Sequence, residues 1–307
     1  MITPTPARHQ ERDGRFAPSP TGPLHLGSLR TALVAWLFAR SQSSRFLVRI
    51  EDLDPQRSRP EFERQQLDDL RALGLDWDDT PVRQSERMSL YEDALARLEA
   101  QGRLYPCFCT RAEIREAASA PHGALPEGSY PGTCCALSEP ERERRLSAGR
   151  PFALRVRAGS ERVEFDDRLH GWCGVVVDDF VVRRADGVPA YQLAVVVDDA
   201  AQGVGEVVRG DDLIDSTPRQ ILLARLLGLP VPRYAHVPLV FGKDGARMAK
   251  RGRPPALSDR DEPPAMTLAL LAHSLGLALE RERVQRPAEL LAEFDPGRLP
   301  REPCVLG

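Results

Sequence analysis

The sequence predicts an α/β protein with a doubly wound parallel sheet whose faces are covered by helices. Short apolar segments at 15–17 and 45–50, bounded by Pro, Gly or polar residues, predict strands. Segments with an apolar residue every three or four positions, at 25–37, 60–73 and 87–101, predict helices. Strands that alternate with helices in this way are typical of parallel sheets.

The alternation resumes in the second half of the chain. Strands are predicted at 179–184, 191–197 and 206–209, followed by a helix at 217–227. The segment 191–197 (YQLAVVV) is almost entirely apolar, which favours a strand buried on both faces. The Asp-Gly pair at 186–187 predicts a hairpin turn before it.

A region rich in Cys, Pro and Gly interrupts this alternation and predicts an insertion. The predicted division is 14–103 and 176–240 for the two halves of a nucleotide-binding domain, 104–175 for the insertion, and 241–300 for a loop with a short C-terminal helical segment. Helices are expected at 266–279 and 287–294 in that last segment.

Composition excludes several classes of protein. No stretch approaches the roughly 20 apolar residues of a membrane span, and the N-terminus lacks the apolar run of a secretory signal. Four of the six cysteines crowd between 107 and 135, which is unlike a secreted disulfide framework. We therefore expect a cytoplasmic protein without membrane contact, and a monomer. The net charge of −3 means that any RNA contact depends on a local basic face.

Lysine usage singles out one loop. Of 42 basic residues only two are lysines, and both, Lys243 and Lys250, lie in GKDGARMAKRGR. Lys and Arg differ most at phosphate sites, so this loop is a candidate phosphate contact, although coincidence in a solvated loop stays open.

The segment RFAPSPTGPLHLGSL, at 15–29, has the features of a phosphate site. A strand ends in a Pro/Gly-rich turn, and a helix begins directly after His25. The first turn of a helix offers unpaired N–H groups to phosphate, and Gly22 and Gly27 allow close approach of the backbone. A lone His at this place is more often structural than catalytic.

The whole segment resembles the first signature of class I aminoacyl-tRNA synthetases, the HIGH-type motif, and RFAPSPTG is similar to the glutamyl/glutaminyl branch. The resemblance implies that Arg15, Ala17 and Ser19 contact L-glutamate. It also implies that His25 and Gly27 hold ATP, with Mg²⁺ as the accompanying ion, and that His25 takes part in catalysis.

Two further segments have counterparts in that branch. In RIEDLD, at 49–54, three carboxylates at a strand end could be a solvated turn, but the resemblance implies that Glu51 binds the α-ammonium group of glutamate. Tyr191 could be a core aromatic, and Arg209 could pair with a neighbouring Asp at the surface. The resemblance implies that both recognise glutamate, whose side-chain carboxylate suits the fork of an arginine.

The lysine loop resembles the KMSKS-type motif, which closes on ATP. The resemblance makes Lys250 an ATP-binding and catalytic residue that contacts the phosphates as pyrophosphate leaves. Arg247 replaces the first lysine of the motif and Ala249 its serine. Slower turnover than in relatives is therefore expected.

The crowded cysteines predict a possible metal site. Cys107, Cys109 and Cys134 give three soft ligands, one short of the four that structural zinc uses, and buried reduced cysteines are an equal alternative. The C-x-C pair with Y-x3-C resembles truncated glutamyl-tRNA synthetase paralogues, which implies structural Zn²⁺ with Tyr130 as fourth ligand. Cys135 and His122 stay open as alternatives to Tyr130.

The branch with this truncation and this cysteine pattern is that of the glutamyl-queuosine tRNA(Asp) synthetases. The resemblance implies activation of glutamate without tRNA and its transfer to queuosine in the anticodon arm of tRNA(Asp). No helical anticodon-binding domain is expected in 307 residues. Two alternatives stay open: a minimal enzyme acting at the tRNA 3′ end, and a weakened paralogue that only binds nucleotide or RNA.

Overall fold

A computed structural model of the chain describes residues 13–118, 129–242, 256–277 and 284–306. The helices in these ranges are α1 (Leu26–Ser41), α2 (Pro60–Ala72), α3 (Met88–Ala100), α4 (Arg111–Ala118), α5 (Glu139–Ser147), α6 (Tyr191–Gln202), α7 (Thr217–Leu226) and α8 (Pro264–Ser274). The strands are β1 (Asp13–Phe16), β2 (Phe46–Ile50), β3 (Val82–Arg83), β4 (Leu104–Cys107), β5 (Ala153–Val156), β6 (Arg162–Asp167), β7 (Gly171–Val176), β8 (Phe180–Arg183), β9 (Val204–Gly210), β10 (Arg233–Val237), β11 (Val240–Phe241) and β12 (Cys304–Val305).

A seven-stranded sheet forms the centre of the molecule and confirms the predicted fold class. Its strand order is β3-β2-β1-β9-β10-β6-β7, and all neighbours are parallel except the β6–β7 hairpin. Strand β1 lies between β2, which follows it closely in sequence, and β9, which comes about 190 residues later. The order therefore reverses at β1, and ligands of doubly wound sheets bind at such a reversal.

Helices cover both faces of this sheet. The buried residues of α1 and α8 form one apolar core, together with Phe46 and Val48 of β2. Those of α3, α6 and α7 form a second core with Leu47. Successive side chains of a strand point to opposite faces, so one short apolar strand contributes to both cores.

The strand predicted at 191–197 is wrong: the segment begins helix α6. A short apolar run fits a buried strand and a buried helix equally well, and length decides between them. Here the run continues through Asp198 and Asp199 to a left-handed Gly203 with φ 72°, which ends the helix. Buried residues on several sides of α6 explain its strand-like sequence. The hairpin turn before it is confirmed, with Arg184 N bonded to Val188 O at 2.8 Å.

The helix predicted at 287–294 is also wrong, since the chain forms only a short 3₁₀ turn at Pro287–Leu290. A segment this short has little helical stability of its own and depends on tertiary packing, which here supports only the 3₁₀ turn. The helix predicted at 266–279 corresponds to α8, which ends at Ser274.

Strands β4, β5 and β8 form a separate antiparallel sheet beside the main one. The β6–β7 hairpin, which lies between β5 and β8 in sequence, joins the main sheet through the pairing of Asp167 with Tyr234. The division into domains stays a prediction. Among the described residues, no helix combines the length and apolarity needed to cross a membrane.

Candidate active site

A cavity of about 410 Å³ opens at the carboxyl ends of β1, β2 and β9. Its walls include eight of the nine residues predicted to bind glutamate or ATP: Arg15, Ala17, Ser19, His25, Gly27, Glu51, Tyr191 and Arg209. The parallel sheet brings them together because each follows or ends a strand, or begins a helix, at this edge. Lys250, with Lys243, Arg247 and Ala249, lies outside the described residues. The individual roles stay predictions.

Arg15, which lines the cavity, and the fully buried Arg49 share a carboxylate. Asp199 of α6 accepts from Arg15 Nε at 3.3 Å and from Arg49 Nη1 at 2.7 Å. Burial alone would raise the pKa of Asp199, but Arg15 and Arg49 lower it below its ordinary value. Arg15 also donates to Val208 O at 3.1 Å, which ties β1 to β9. These charges are therefore paired within the protein.

Glu51, directly after β2, is a second carboxylate, but here the effect of burial on the pKa outweighs that of the neighbouring arginines. Its Oε1 lies 3.4 Å from Arg49 Nη2. Burial raises the pKa of Glu51 by more than Arg49 and Arg15 lower it. An ammonium group beside Glu51 would supply the cation that favours its ionised form.

Arg209, at the end of β9, has neutral partners instead. Its Nη1 donates to Gln220 Oε1 at 2.9 Å and lies 3.4 Å from the Tyr191 hydroxyl oxygen. Its Nη2 donates to Thr217 Oγ1 at 2.7 Å and to Leu213 O at 3.3 Å. The guanidinium is thus held on several sides while its charge stays uncompensated by these contacts.

The Nε atom of Arg209 lies 3.1 Å from His236 Nε2, and His236 Nδ1 lies 2.6 Å from Asp167 Oδ2. Asp167 and His236 are both buried. Burial lowers the pKa of His236, so the ring is neutral near pH 7.

The other end of the cavity begins at helix α1. His25 caps this helix: its Nδ1 accepts from Ser28 N at 3.2 Å, and its Nε2 lies 3.1 Å from Ser28 Oγ. A Cβ at Gly27 would lie 3.1 Å from two ring atoms of His25, so glycine makes room for this cap. The remaining N–H groups of the first turn suit phosphate.

A second cluster lies at the end of β4, where the thiols of Cys107, Cys109 and Cys134 lie within 4.8 Å of one another. The Tyr130 hydroxyl lies 3.4 Å from Cys107 Sγ and 3.9 Å from Cys109 Sγ. Burial raises the pKa of the Cys109 thiol to about 12. Three sulfurs and one phenol at these separations fit a tetrahedral zinc site, and its loading would release protons.

The surroundings of this cluster bear on the alternative ligands. Cys135 Sγ accepts from Arg157 Nη1 at 2.9 Å, which engages it outside the group of three thiols. His122 lies outside the described residues. The Arg155 guanidinium lies 3.7 Å from the centre of the Tyr130 ring, while burial and the contact with Cys107 raise the pKa of the Tyr130 phenol. The geometry therefore favours Tyr130 as the fourth ligand.

Sequence reasoning assigned no role to Arg49, Asp199, His236 or Asp167. The signal for Arg49, Asp199 and His236 is a charged or titratable residue inside an apolar segment, as in FLVRI, VVVDDA and RYAHVPLV, whereas Asp167 lies among charged residues in EFDDR and has no such signal. Such residues are rarely buried unless they are paired.

Comparisons with known proteins assign the chain. Residues 13–294 match the family of class I tRNA synthetases (E and Q), catalytic domain. The chain is 59% identical over 296 residues to the glutamyl-Q tRNA(Asp) synthetase of Nocardia farcinica, covering 95% of this chain and 92% of that protein. It is 52% identical to the enzyme of that name from Symbiobacterium thermophilum, with 94% of each covered.

A solved structure agrees with the fold. The glutamate tRNA ligase of Elizabethkingia meningosepticum, in complex with its amino acid, superposes with a TM-score of 0.82 at 26% identity, covering 97% of this chain and 67% of that one. On these findings, the chain belongs to the glutamyl/glutaminyl branch of class I aminoacyl-tRNA synthetases and, within it, to the glutamyl-Q tRNA(Asp) synthetases.

Proposed function

We propose that the protein is a ligase that activates glutamate with ATP, without tRNA, and transfers the glutamyl group to queuosine in the anticodon of tRNA(Asp). The observation that carries the proposal is the cavity in which Arg209, a buried cation among neutral partners, lines the same space as Glu51 and the start of α1. A cation, an anion and a phosphate-binding helix start suit an acidic amino acid beside ATP. The high identity to the named relatives supports the acceptor.

The proposed roles follow from the charges that line the cavity. Glu51 binds the α-ammonium group of glutamate, and Arg209 with Tyr191 binds its side-chain carboxylate. Arg15, Ala17 and Ser19, on β1 and the turn after it, position the rest of the amino acid. The ammonium group and the side-chain carboxylate of glutamate then pair with Glu51 and Arg209, whose charges are the least neutralised by neighbouring protein groups.

On the nucleotide side, His25 and Gly27 hold ATP at the start of α1. Lys250 contacts the departing pyrophosphate, and bound Mg²⁺, which this enzyme class uses with ATP, would neutralise phosphate charge. Cations that are fixed before the reaction stabilise the developing charge without reorganising.

The reaction takes two steps, an adenylyl transfer and an acyl transfer. The α-carboxylate oxygen of glutamate attacks the α-phosphorus of ATP, and pyrophosphate leaves with the electron pair of the broken P–O bond. A hydroxyl of the queuosine diol then attacks the carbonyl carbon of the mixed anhydride, loses its proton and releases AMP. No covalent enzyme intermediate is needed, so binding and orientation supply most of the rate.

The first experiment is ATP–pyrophosphate exchange with Mg²⁺ and no tRNA. Exchange that depends on glutamate, and not on glutamine or aspartate, is expected. Purified protein that shows no glutamate-dependent exchange contradicts the proposal.

The second experiment identifies the acceptor by comparing tRNA(Asp) that carries queuosine with tRNA(Asp) that has guanosine at that position. Labelled glutamate should enter only the first. Equal labelling of both would instead favour transfer to the 3′ end, as in a minimal glutamyl-tRNA synthetase.

We also propose that Cys107, Cys109, Tyr130 and Cys134 hold one structural Zn²⁺. Four protein ligands leave no open position for substrate, so the metal stabilises the small sheet and takes no part in the reaction. Metal analysis of protein purified without chelator should find one zinc per chain. Cys109→Ser should lose it, whereas Cys173→Ser, which changes a free cysteine outside the cluster, should keep it. Zinc retained by Cys109→Ser would contradict the site.

A monomer that acts in the cytoplasm completes the proposal. Light scattering on the purified chain should give the mass of one copy, 34.0 kDa.

A further inference from the structure

The Arg209 side chain is only partly explained by the cavity that it lines. The residue is 5% exposed, and buried cations usually pair with a carboxylate. Within the described part of the chain, the hydrogen bonds of Arg209 go to an imidazole, an amide, two hydroxyls and a backbone carbonyl. Among the described residues, the network reaches a carboxylate only at Asp167, on the far side of the His236 ring.

The chemistry of arginine determines which nitrogen of His236 carries the proton. A guanidinium only donates hydrogen bonds, so His236 Nε2 must accept from Arg209 Nε. The proton of the neutral ring is then on Nδ1, which donates to Asp167 Oδ2 at 2.6 Å. This tautomer satisfies both contacts, and the opposite tautomer would direct two donors at each other.

Asp167 is itself fixed in place. Its Oδ1 accepts from the backbone N–H groups of Leu169 and His170, both at 3.0 Å. These bonds and the bond from His236 lower the pKa of Asp167 although burial would raise it. The result is an ionised carboxylate beside a neutral ring.

The sheet places these residues in a row. Residue 234 of β10 pairs with Asp167 of β6, and His236 of β10 pairs with Arg209 of β9. The three side chains therefore come from three neighbouring parallel strands near their carboxyl ends. Parallel register, which the packing of the whole sheet sets, fixes their separations more tightly than a loop would.

We propose that Asp167 and His236 are positioning residues for the recognition of glutamate. Asp167 holds His236 in the Nδ1–H tautomer, and His236 holds the Nε edge of Arg209 while leaving its positive charge uncompensated. The inference rests on the proposed function, because it concerns how that cavity selects an acidic side chain.

The neutral ring is what makes this arrangement suited to recognition. A carboxylate bonded directly to Arg209 would neutralise the guanidinium and compete with the side chain of the substrate. With imidazole between them, Asp167 orients the contact from a distance, and the substrate supplies the direct negative charge. Partners behind a binding group act in this way at metal sites, where their loss weakens binding about ten- to a hundred-fold.

The central test is Asp167→Asn, measured by ATP–pyrophosphate exchange. The expected result is a KM for glutamate raised about ten- to a hundred-fold, with the KM for ATP unchanged, because only the amino-acid end loses its alignment. The matched control is Asp13→Asn, which changes another buried carboxylate at the opposite end of the sheet, where it pairs with Arg45. Asp13→Asn should leave both KM values unchanged.

A pair of His236 variants separates positioning from packing. His236→Gln keeps an acceptor for Arg209 and a donor for Asp167, whereas His236→Leu keeps only bulk. His236→Gln should therefore retain a lower KM for glutamate than His236→Leu. Equal values for the two variants would overturn the positioning role of the ring.

The tautomer can be measured on the unmodified protein, which covers the case in which the variants do not fold. Imidazole nitrogen shifts in a ¹⁵N-labelled sample should show His236 neutral with the proton on Nδ1 at pH 7. A proton on Nε2, or a KM for glutamate unchanged in folded Asp167→Asn, would overturn the inference. Wild-type protein without glutamate-dependent exchange would instead refute the proposed function, and the tautomer measurement does not depend on that reaction.

Discussion

Two buried arginines, Arg15 and Arg209, line the same cavity, and they differ in what neutralises them. Arg15 and Arg49 share Asp199, at 3.3 and 2.7 Å. Arg209 is equally buried but contacts neutral acceptors. A paired cation fixes the architecture of a site, whereas a cation held by neutral groups keeps its charge available to a ligand.

The difference has an energetic side. Burying an ion without a counter-charge costs stability, and hydrogen bonds from neutral groups offset only part of that cost. This cost in stability arises at Arg209, and it does not arise at Arg15 and Arg49, because they share Asp199.

The largest expected effect is a loss of stability when the carboxylate that pairs with Arg15 and Arg49 is removed. Asp199→Asn removes the carboxylate that Arg15 and Arg49 share and leaves two buried cations without it. Loss of one partner of a buried ion pair lowers the free energy of unfolding by about 3–5 kcal/mol. Urea unfolding measures this loss. Asp186→Asn is the control, because Asp186 pairs with Arg184 at the surface and should change stability by less than about 1 kcal/mol. Equal losses in the two variants would contradict the comparison.

The next prediction expects the opposite of Asp199→Asn, namely a small loss of stability and a large loss of activity with glutamate. Arg209→Met should cost little stability compared with Asp199→Asn, because an uncompensated cation is removed. It should lower kcat/KM for glutamate roughly 30- to 1000-fold, which corresponds to a loss of about 2–4 kcal/mol of transition-state stabilisation. The KM for ATP should stay unchanged. Exchange kinetics and urea unfolding on one preparation measure both quantities. Arg225→Met, at a half-exposed arginine far along α7, controls for loss of charge. An unchanged KM for glutamate would contradict the proposal that Arg209 binds glutamate.

Much of this comparison was predictable from the sequence. Arg15, Glu51 and Arg209 stand at strand ends, and the carboxyl ends of parallel strands meet at one edge. Predicting the alternation of strands and helices was therefore enough to predict that these side chains converge. The resemblance to a known family added the roles, which local spacing does not contain.

The rest could not be predicted, for physical reasons. Asp199 was assigned to no element because periodicity could not tell the buried helix α6 from a buried strand. Asp167 and His236 are separated by 69 residues and meet only because β6 pairs with β10. The pairing of strands depends on the packing of the whole sheet, and neither strand carries a local signal for its neighbour.

A third prediction concerns the carboxylate of Glu51, which lines the same cavity as Arg15 and Arg209. Glu51 must be ionised to bind an ammonium, and burial raises its pKa although Arg49 and Arg15 oppose this. As the pH falls through that raised pKa, the carboxylate is protonated, so kcat/KM for glutamate should fall at higher pH than for an ordinary Glu. Glu51→Gln should remove this acid limb and lower the plateau by about ten- to a hundred-fold, since a charge-assisted hydrogen bond is lost. The pH profile of exchange measures both, and an acid limb that persists in Glu51→Gln would assign it to another group.

The smallest expected effect tests whether Arg209 depends on its weakest contact. The Tyr191 hydroxyl lies 3.4 Å from Arg209 Nη1, which is long for a hydrogen bond, so its loss leaves Arg209 in place and removes only the single hydrogen bond of the phenol to the substrate carboxylate. Tyr191→Phe should therefore raise the KM for glutamate only about fivefold, equivalent to about 1 kcal/mol. Tyr105→Phe is the control: its hydroxyl bonds Asp179 at 2.7 Å in the small sheet, so its loss should affect stability and leave the KM for glutamate unchanged. A loss of binding in Tyr191→Phe as large as in Arg209→Met would mean that the phenol, and not the network behind Arg209, carries the recognition.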